Sequence, residues 1–211
     1  MLLDLAIAAF LAICLTVFVV INLYNMVKSS ASKQDLKYKA EVKRPSGPIF
    51  AFTALGTGVF FLESVLYLSL VLTGFYTDIS DSFFQLRFLY DSWVQLIGMF
   101  ATTFGYALFL WSVLARGRYA TSWEMPETQK LVTWGPYRYV RHPSYLAYFI
   151  LFAGLFLTVL NLITLIPLIA VPSYLHVATI EEALLTKRFG KAYLEYQHKT
   201  GKFFPKIEHN S

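Results

Sequence analysis

The sequence predicts an all-α membrane protein with about five transmembrane helices. Of its 211 residues, 56% are apolar and only 15% are charged, and the mean hydropathy is +0.52. An ordinary soluble domain carries roughly a quarter charged residues. The apolar residues are grouped into long runs, and lysine and arginine gather in the segments between them. These observations predict a bundle of apolar helices joined by polar loops.

The first apolar run covers residues 2–23 and is broken only by Asp4 and Asn22. About twenty residues suffice to cross a hydrocarbon core of about 30 Å at about 1.5 Å per residue. A cleavable signal peptide begins with a basic stretch, whereas here Asp4 precedes the run and basic residues follow it from Lys28. We therefore expect this run to be retained as the first transmembrane helix.

Two more spans are predicted at residues 49–72 and 93–114, after a Pro-Ser-Gly-Pro cluster that ends the first loop. With the first helix they form an N-terminal transmembrane half, residues 1–114. Glu63 lies within the second span, where an ionisable residue marks either a function or a buried hydrogen bond. The sequence names no partner for Glu63, so both interpretations stay open.

The C-terminal half, residues 115–211, contains two apolar runs at residues 145–160 and 163–178. Because only two residues separate them, we expect a tight helical hairpin. The first run is short for a full span, so the hairpin is tilted, incomplete or packed inside the bundle. Beyond it, aromatic residues recur at helical spacing among basic ones: Phe189, Tyr193 and Tyr196. They predict an amphipathic helix on the inner membrane surface, with the aromatic stripe serving packing.

The positions of lysine and arginine predict the orientation of the chain. Of the 18 basic residues, six fall in residues 28–44 and five between Arg116 and Arg141. Six more follow from Lys187 onward, which leaves Arg87 alone elsewhere. Because basic loops collect on the cytoplasmic side, we expect the N-terminus outside and the C-terminus in the cytoplasm.

Several classes of function are not expected. The sequence pI near 9.2 fits this topology and attraction to anionic lipids, so it does not indicate nucleic-acid binding. The four histidines are scattered, and the single cysteine, Cys14, lies within an apolar run. We therefore expect neither a metal site nor a disulfide.

A polar stretch before the hairpin, Gly135-Pro-Tyr-Arg-Tyr-Val-Arg-His-Pro-Ser-Tyr145, is the first candidate site. Polar groups close to lipid are unfavourable unless they serve a function. Pro143 suits the first turn of a helix, which places His142 at a helix N-terminus. The alternative is interfacial anchoring to lipid headgroups by its aromatic and basic members: Tyr137, Arg138, Arg141 and His142.

Glu181 and Glu182 form the second candidate, because the apolar run before them contains no lysine or arginine in its last turns. Adjacent helical residues point about 100° apart, so the two carboxylates are expected to serve different partners. The hairpin places them on the same side of the membrane as the polar stretch. The alternative is that the pair only marks where the last transmembrane helix enters water.

The two candidates belong to a longer pattern. Residues 131–145 are followed by Glu181-Glu-Ala-Leu-Leu185, and then by Phe189-Gly190, Tyr193, Tyr196, Thr200-Gly201 and Phe204-Pro205. In this order and spacing, the C-terminal part of the chain resembles the isoprenylcysteine carboxyl methyltransferases and the related phospholipid methyltransferases. Residues 1–110 match only as generic membrane helices.

The resemblance implies an integral membrane methyltransferase that uses S-adenosylmethionine and acts on a lipophilic acceptor from the bilayer. It implies a cytoplasm-facing cofactor site at Tyr137, His142, Pro143, Tyr145, Glu181 and Glu182. Glu182 or Glu181 is expected to hold the cationic cofactor, with Glu182 as the first to test. Arg138 or Arg141 is expected to orient an anionic group of the acceptor.

One departure from the family pattern leaves the acceptor open. Family members often carry an arginine about one turn before the glutamate pair, where this chain has His176 and Val177. The acceptor is therefore an isoprenylcysteine-like carboxylate, a phospholipid amine or another small lipophile. The oligomeric state is also left open.

The alternative activity is that of an NADPH-dependent sterol-type reductase, because such membrane enzymes have a similar Arg-His-Pro segment. They lack the ending from Thr200-Gly201 to Phe204-Pro205, and they carry an arginine paired with an acid where this chain has two glutamates. Two carboxylates would repel a nucleotide phosphate. A non-catalytic membrane scaffold, which would bind neither cofactor, is the third possibility.

Overall fold

A computed structural model describes residues 2–33, 47–76, 84–119 and 130–206. The α-helices are α1 (Asp4–Lys33), α2 (Pro48–Thr73), α3 (Asp91–Arg116), α4 (Pro143–Val159), α5 (Val171–Phe189) and α6 (Lys191–Lys199). Short 3₁₀ helices lie at Gly117–Tyr119, Gly135–Arg138 and Leu162–Ala170. Pairing of β type is limited, over these residues, to two isolated bridges. The predicted all-α class is therefore confirmed.

The described helices have the length and surface of membrane spans. Those long and apolar enough to cross a bilayer are Asp4–Val27, Pro48–Thr73, Asp91–Arg116 and Leu162–Phe189. The remaining apolar helix, α4, has only 17 residues. Large apolar side chains of these helices point outward, such as Leu72 and Phe100, which are 74% and 76% exposed. This surface fits lipid rather than water as the surrounding solvent, so the helices form an integral membrane protein.

Two helices extend beyond their predicted ends. α1 continues to Lys33 because neither proline nor glycine interrupts the chain there, and the rest of the predicted first loop, residues 34–46, lies outside the described part. α5 continues to Phe189 instead of ending near residue 178, because strong helix formers follow the apolar run. The glutamate pair therefore lies inside α5 and does not mark its end.

The hairpin has unequal arms. Its turn lies at Leu160, whose φ is 56°, and Asn161 accepts a hydrogen bond from the backbone N of Ile163 at 3.0 Å. The second arm begins as the 3₁₀ helix Leu162–Ala170, which contains Pro167. A proline inside an α-helix removes one hydrogen bond and clashes with a preceding carbonyl, which explains why the α-helix proper starts only afterwards.

The predicted amphipathic helix corresponds to α6, although its bounds differ. Gly190, with φ 53°, separates it from α5, so Phe189 ends α5 instead of starting the next helix. Tyr193 is fully buried and Tyr196 is 9% exposed. The aromatic face of α6 is therefore packed against the protein.

α3 and α4 form the closest helix pair of the bundle, with small residues at their contact: Gly98, Gly105 and Gly154. Gln95 donates to the carbonyl of Thr158 at 3.1 Å across the same contact. In lipid, helices associate through close packing and interhelical hydrogen bonds because apolar burial alone gives little preference. This pair therefore sets the position of the polar segments at its ends.

Glu63 is an acidic residue within the span α2. Both of its carboxylate oxygens are buried and accept no hydrogen bond from any described residue. An ionised carboxylate without a partner is unfavourable in such a place. The buried hydrogen bond considered from the sequence is therefore not formed with the described part of the chain.

Gly98→Ala should destabilise the bundle. The added Cβ would collide with the backbone N of Thr158 and lie 2.5 Å from the carbonyl carbon of Leu157, and overpacking of this kind costs about 1–3 kcal/mol. Thermal unfolding in detergent measures the loss.

Gly58→Ala is the matched control, because a Cβ at Gly58 would meet nothing within 4 Å. We expect its melting temperature to stay at or slightly above that of the wild type, since alanine favours the helix. Equal melting temperatures for the two variants would contradict close packing at Gly98.

Candidate functional site

A cavity of about 300 Å³ lies at one end of the bundle. It is enclosed by the end of α3, the start of α4, the end of α5 and one face of α6. Its aromatic wall consists of Phe109, Tyr119, Tyr137, Tyr145, Tyr148, Phe189, Tyr193 and Tyr196. Its ionisable groups are Arg116, Lys130, Arg141, His142 and Glu181, besides these tyrosines. The cavity therefore combines apolar surface with charges of both signs.

The polar stretch of residues 135–145 is held in place by local geometry. Gly135 adopts φ 62°, and Pro136 starts the short 3₁₀ helix. The indole N of Trp134 donates to the carbonyl of Ala115 at 2.9 Å, which attaches the stretch to the end of α3. α4 then begins at Pro143, with His142 just before it, as the sequence predicts.

A segment after α6 closes the site through the backbone. The N–H groups of Arg141 and His142 donate to the carbonyls of Gly201 at 2.9 Å and Lys202 at 3.1 Å. A Cβ at Gly201 would collide with the carbonyl of Phe204, so this tight turn requires glycine. The Thr-Gly and Phe-Pro elements of the sequence pattern thus fix the position of the Arg-His pair.

Glu182 is surrounded by cationic side chains. Its Oε1 accepts from Arg141 Nε at 2.7 Å and lies 3.2 Å from His142 Nε2, and its Oε2 lies 3.7 Å from Lys202 Nζ. Arg141 also donates to the carbonyls of Gln197 and Thr200. Glu182 does not line the cavity. Its charge therefore holds α5, the polar stretch and the C-terminal segment together.

Glu181 faces the cavity instead. Its Oε1 accepts from the Tyr145 hydroxyl at 2.8 Å, and its Oε2 lies 3.5 Å from His142 Nδ1. The two carboxylates share His142 but otherwise have different partners, as expected for adjacent residues of a helix. Glu181 is thus the carboxylate that a molecule in the cavity meets.

His142 is buried between the two carboxylates, with one ring nitrogen toward each. Burial alone would lower its pKa, but the hydrogen bonds and charges of Glu181 and Glu182 outweigh burial and raise the pKa above its ordinary value. A protonated ring can donate to both carboxylates, whereas a neutral ring can donate to one. The geometry therefore favours an imidazolium at His142.

The residues proposed from the sequence fall into two groups. Those that line the cavity are Tyr137, Arg141, His142, Tyr145 and Glu181. Glu182 and Pro143 lie behind the wall and hold its residues in place. Arg138 is exposed and lies at a second depression formed with Tyr139, Lys199, Pro205 and Lys206. Arg138 is therefore separated from the carboxylates.

Sequence reasoning overlooked several residues of the wall, among them Arg116 and the aromatic residues of α5 and α6. It assigned Tyr193 and Tyr196 to packing and used Arg116 only to infer orientation. The hydroxyl of Tyr193 and Nε of Arg116 are buried without a hydrogen-bond partner in the described part of the chain. The helical spacing of the tyrosines on α6 indicated that they share one face. Whether that face contacts the cavity depends on how α6 packs against the bundle, which the sequence does not show.

The acidic and histidine side chains of the described ranges do not form a metal site. These ranges contain no group of three or more histidine, cysteine, aspartate or glutamate side chains that could hold a metal ion. The carboxylates of the site are instead bonded to protein cations and to a tyrosine.

Comparison with known proteins gives matches to membrane methyltransferases. Residues 93–192 match the model of the phospholipid methyltransferase family. Protein-S-isoprenylcysteine O-methyltransferase of Tribolium castaneum is 30% identical over 122 residues, which cover 55% of this chain and 43% of the relative. A solved structure of the eukaryotic intramembrane Ras methyltransferase, isoprenylcysteine carboxyl methyltransferase, is 24% identical with a TM-score of 0.48, over 78% of this chain and 55% of the other.

The family model and the curated relative confirm the resemblance predicted from the sequence. The family model covers α3, the polar stretch, the hairpin and α5, which together form most of the cavity wall. The matched part spans less than half of the curated relative's length. The similarity therefore covers the part of this chain that forms most of the cavity wall.

The raised pKa of His142 predicts a pH-dependent contribution to stability. A raised folded-state pKa stabilises the fold fully below the unfolded value of about 6.5, and this contribution disappears as pH rises through the folded pKa. The melting temperature of His142→Asn should therefore fall furthest below that of the wild type at about pH 6 or lower. The difference should shrink at alkaline pH.

His176→Asn is the control for this series, because His176 is exposed on α5. Its difference from the wild type should stay small and constant over the same pH range. A His142→Asn difference that grows with pH would contradict an imidazolium held by the two carboxylates.

Proposed function

We propose that the protein is an S-adenosylmethionine-dependent methyltransferase that acts on a lipophilic acceptor at the cytoplasmic face of a membrane. The observation that carries the proposal is the Glu181 carboxylate in an aromatic-walled cavity. This cavity is built by the segment that matches membrane methyltransferases. When bound, the cofactor supplies an electrophilic methyl group on a sulfonium sulfur.

The cavity wall suits a cationic ligand. A carboxylate in a partly dehydrated cavity attracts a sulfonium or ammonium group more strongly than it would in water. Aromatic faces add cation–π attraction where a cation lies over a ring. We assign the cation to Glu181, because Tyr145 and His142 orient it while it faces the cavity. Tyr193 adds a buried hydroxyl that has no partner among the described residues and can donate to a polar ligand.

Arg141 and Glu182 act as positioning residues in this proposal. Their ion pair of 2.7 Å is mostly buried, with 11% and 14% of the two side chains exposed. Arg141 also fixes two carbonyls of the segment at the end of α6. The pair therefore holds the wall on which His142 and Glu181 lie, and it leaves Arg141 few donors for an acceptor.

Methyl transfer needs alignment more than acid–base chemistry. The acceptor atom, the methyl group and the sulfur must be in line, and water must be excluded. The aromatic wall supplies the exclusion of water. We propose that a lipophilic acceptor enters from the bilayer side, in keeping with the names of the matched proteins, which concern isoprenylcysteine and phospholipids.

The orientation of the site follows from the helix directions. α1 begins at the end far from the cavity, where the backbone N of Leu2 donates to Gln95 Oε1 at 2.8 Å. α3 runs from Gln95 to Arg116 at the cavity, so α1 and α3 both run toward the cavity end, and in the sequence each is followed by basic residues. We propose that this end is cytoplasmic and that the N-terminus is outside.

We also propose different roles for the two halves of the chain. Residues 115–211 supply most of the cavity wall and form the catalytic half. Residues 1–114 form the membrane support, although Phe109 of α3 also reaches the cavity. Both halves belong to one membrane domain, because α3 and α4 pack tightly against each other.

Cofactor choice tests the proposal against the reductase alternative. Purified protein should bind S-adenosylmethionine and S-adenosylhomocysteine in calorimetric titrations. It should not bind NADPH, which has no sulfonium or ammonium group to pair with Glu181. Binding of NADPH alone would overturn the proposal. Binding of none of the three would favour a scaffold.

Exchange of the two glutamates for glutamine should separate their roles. Glu181→Gln removes the charge that meets the cofactor cation, so its affinity should fall by about 2–5 kcal/mol, or at least about thirtyfold. Glu182→Gln leaves Arg141 without its carboxylate and should lower stability by about 3–5 kcal/mol. Calorimetry measures the first effect, and thermal unfolding measures the second.

Glu195→Gln is the control, because Glu195 is exposed on α6 and outside the cavity wall. It should change either quantity by no more than about 0.5 kcal/mol. Unchanged cofactor affinity in a folded Glu181→Gln protein would refute the assignment of Glu181.

A further inference from the structure

Arg116 is the last residue of α3, and its side chain lines the cavity. Its Nε is buried and has no hydrogen-bond partner in the described part of the chain. A guanidinium carries five donors that are costly to bury unpaired. An arginine in this condition is suited to a ligand that supplies the missing acceptors.

The other cations near the site are used differently. Arg141 donates to Glu182 and to two backbone carbonyls. Arg138 lies at the separate depression described above. Lys130 also borders the cavity, but it is exposed. Arg116 is therefore the arginine of the described cavity wall that has a buried donor, Nε, without a partner among the described residues.

The cavity wall does not neutralise Arg116. Glu181 is the carboxylate of the described wall, and its partners are Tyr145 and His142. No ion pair within 4.0 Å joins Glu181 to Arg116 in the described structure. Opposite charges thus line one cavity without contacting each other, which favours a ligand that carries an anionic group as well as a cationic one.

We infer that Arg116 is the anion-binding residue of the cavity and contacts a carboxylate or phosphate of a bound molecule. The planar fork of a guanidinium matches both groups in a bidentate arrangement. The inference rests on the proposed function, because the anion belongs either to the amino-acid end of the cofactor or to the acceptor. Arg116 then determines specificity at a position that the family pattern does not include.

The first experiment tests the cofactor as the source of the anion. Wild type and Arg116→Gln are titrated with S-adenosylhomocysteine and with 5′-methylthioadenosine, which lacks the amino-acid carboxylate. If Arg116 contacts that carboxylate, the variant should bind S-adenosylhomocysteine about tenfold or more weakly. Its affinity for 5′-methylthioadenosine should stay within about twofold of the wild type.

The second experiment tests the acceptor and needs no cofactor. Wild type and variant in zwitterionic nanodiscs are melted with dodecyl phosphate, laurate or uncharged dodecanol. If Arg116 contacts the acceptor, the anionic amphiphiles should raise the melting temperature of the wild type more than dodecanol does. Arg116→Gln should lose this preference, while its affinity for S-adenosylhomocysteine stays unchanged.

Lys187→Gln is the control for loss of one positive charge, because Lys187 is exposed on α5 outside the cavity wall. It should behave as the wild type in both experiments. Arg116→Lys keeps the positive charge but lacks the planar guanidinium, and it is used if Arg116→Gln does not fold. It should lose ligand affinity and the anion preference to a smaller degree than Arg116→Gln.

The inference is overturned if the Arg116 variants have the same affinities and melting temperatures as Lys187→Gln in both experiments. It is also overturned if the wild type binds the anionic ligand no better than the uncharged one in both experiments. A wild type that binds no adenosyl ligand but prefers anionic amphiphiles through Arg116 would contradict the proposed function alone. Failure of the inference and failure of the proposed function therefore give different results.

Discussion

The ion pair between Arg141 and Glu182 is the interaction on which the site depends. It joins α5 to the stretch before α4, and Arg141 also donates to carbonyls of the segment at the end of α6. The contacts of His142 with both glutamates and the backbone bonds to Gly201 and Lys202 complete the same junction. A buried ion pair gains little net stability over an apolar contact, because both charges lose hydration. Its value lies in positioning, because Nη1 of Arg141 also donates to the carbonyls of Gln197 and Thr200. That arrangement leaves Glu181 toward the cavity.

The membrane explains which parts of the fold follow from sequence. In lipid every backbone polar group must be paired within the protein, so long apolar runs become helices and hydropathy locates them. The start of α4 at Pro143 was predictable for a local reason, the fixed φ of proline. The 3₁₀ arm around Pro167 was not predictable, because the length of an apolar run is the same for a 3₁₀ helix and an α-helix. The continuation of α5 to Phe189 was not predictable either, because an apolar run shows only the part of a helix that lies in lipid.

The site was predictable as a set of segments but not as a set of roles. The polar stretch and the glutamate pair were identified from residue types, since charges beside apolar runs are uncommon. Which glutamate faces the cavity depends on the rotation of α5 about its axis. Neighbouring helical residues point about 100° apart, so a rotation of this size exchanges the roles of Glu181 and Glu182. Arg116 escaped notice because an arginine at the end of an apolar helix also has an ordinary topological explanation.

The backbone pairing of Arg141 and His142 with Gly201 and Lys202 has a consequence for synthesis of the protein. The helices up to α5 can enter the membrane as they leave the ribosome, but the carbonyls that close the site emerge some sixty residues after the groups they bind. Until then, Arg141 lacks several of its acceptors, and the aromatic face of α6 does not yet cover the wall. The cavity wall is therefore completed last, after the helices up to α5 have been inserted.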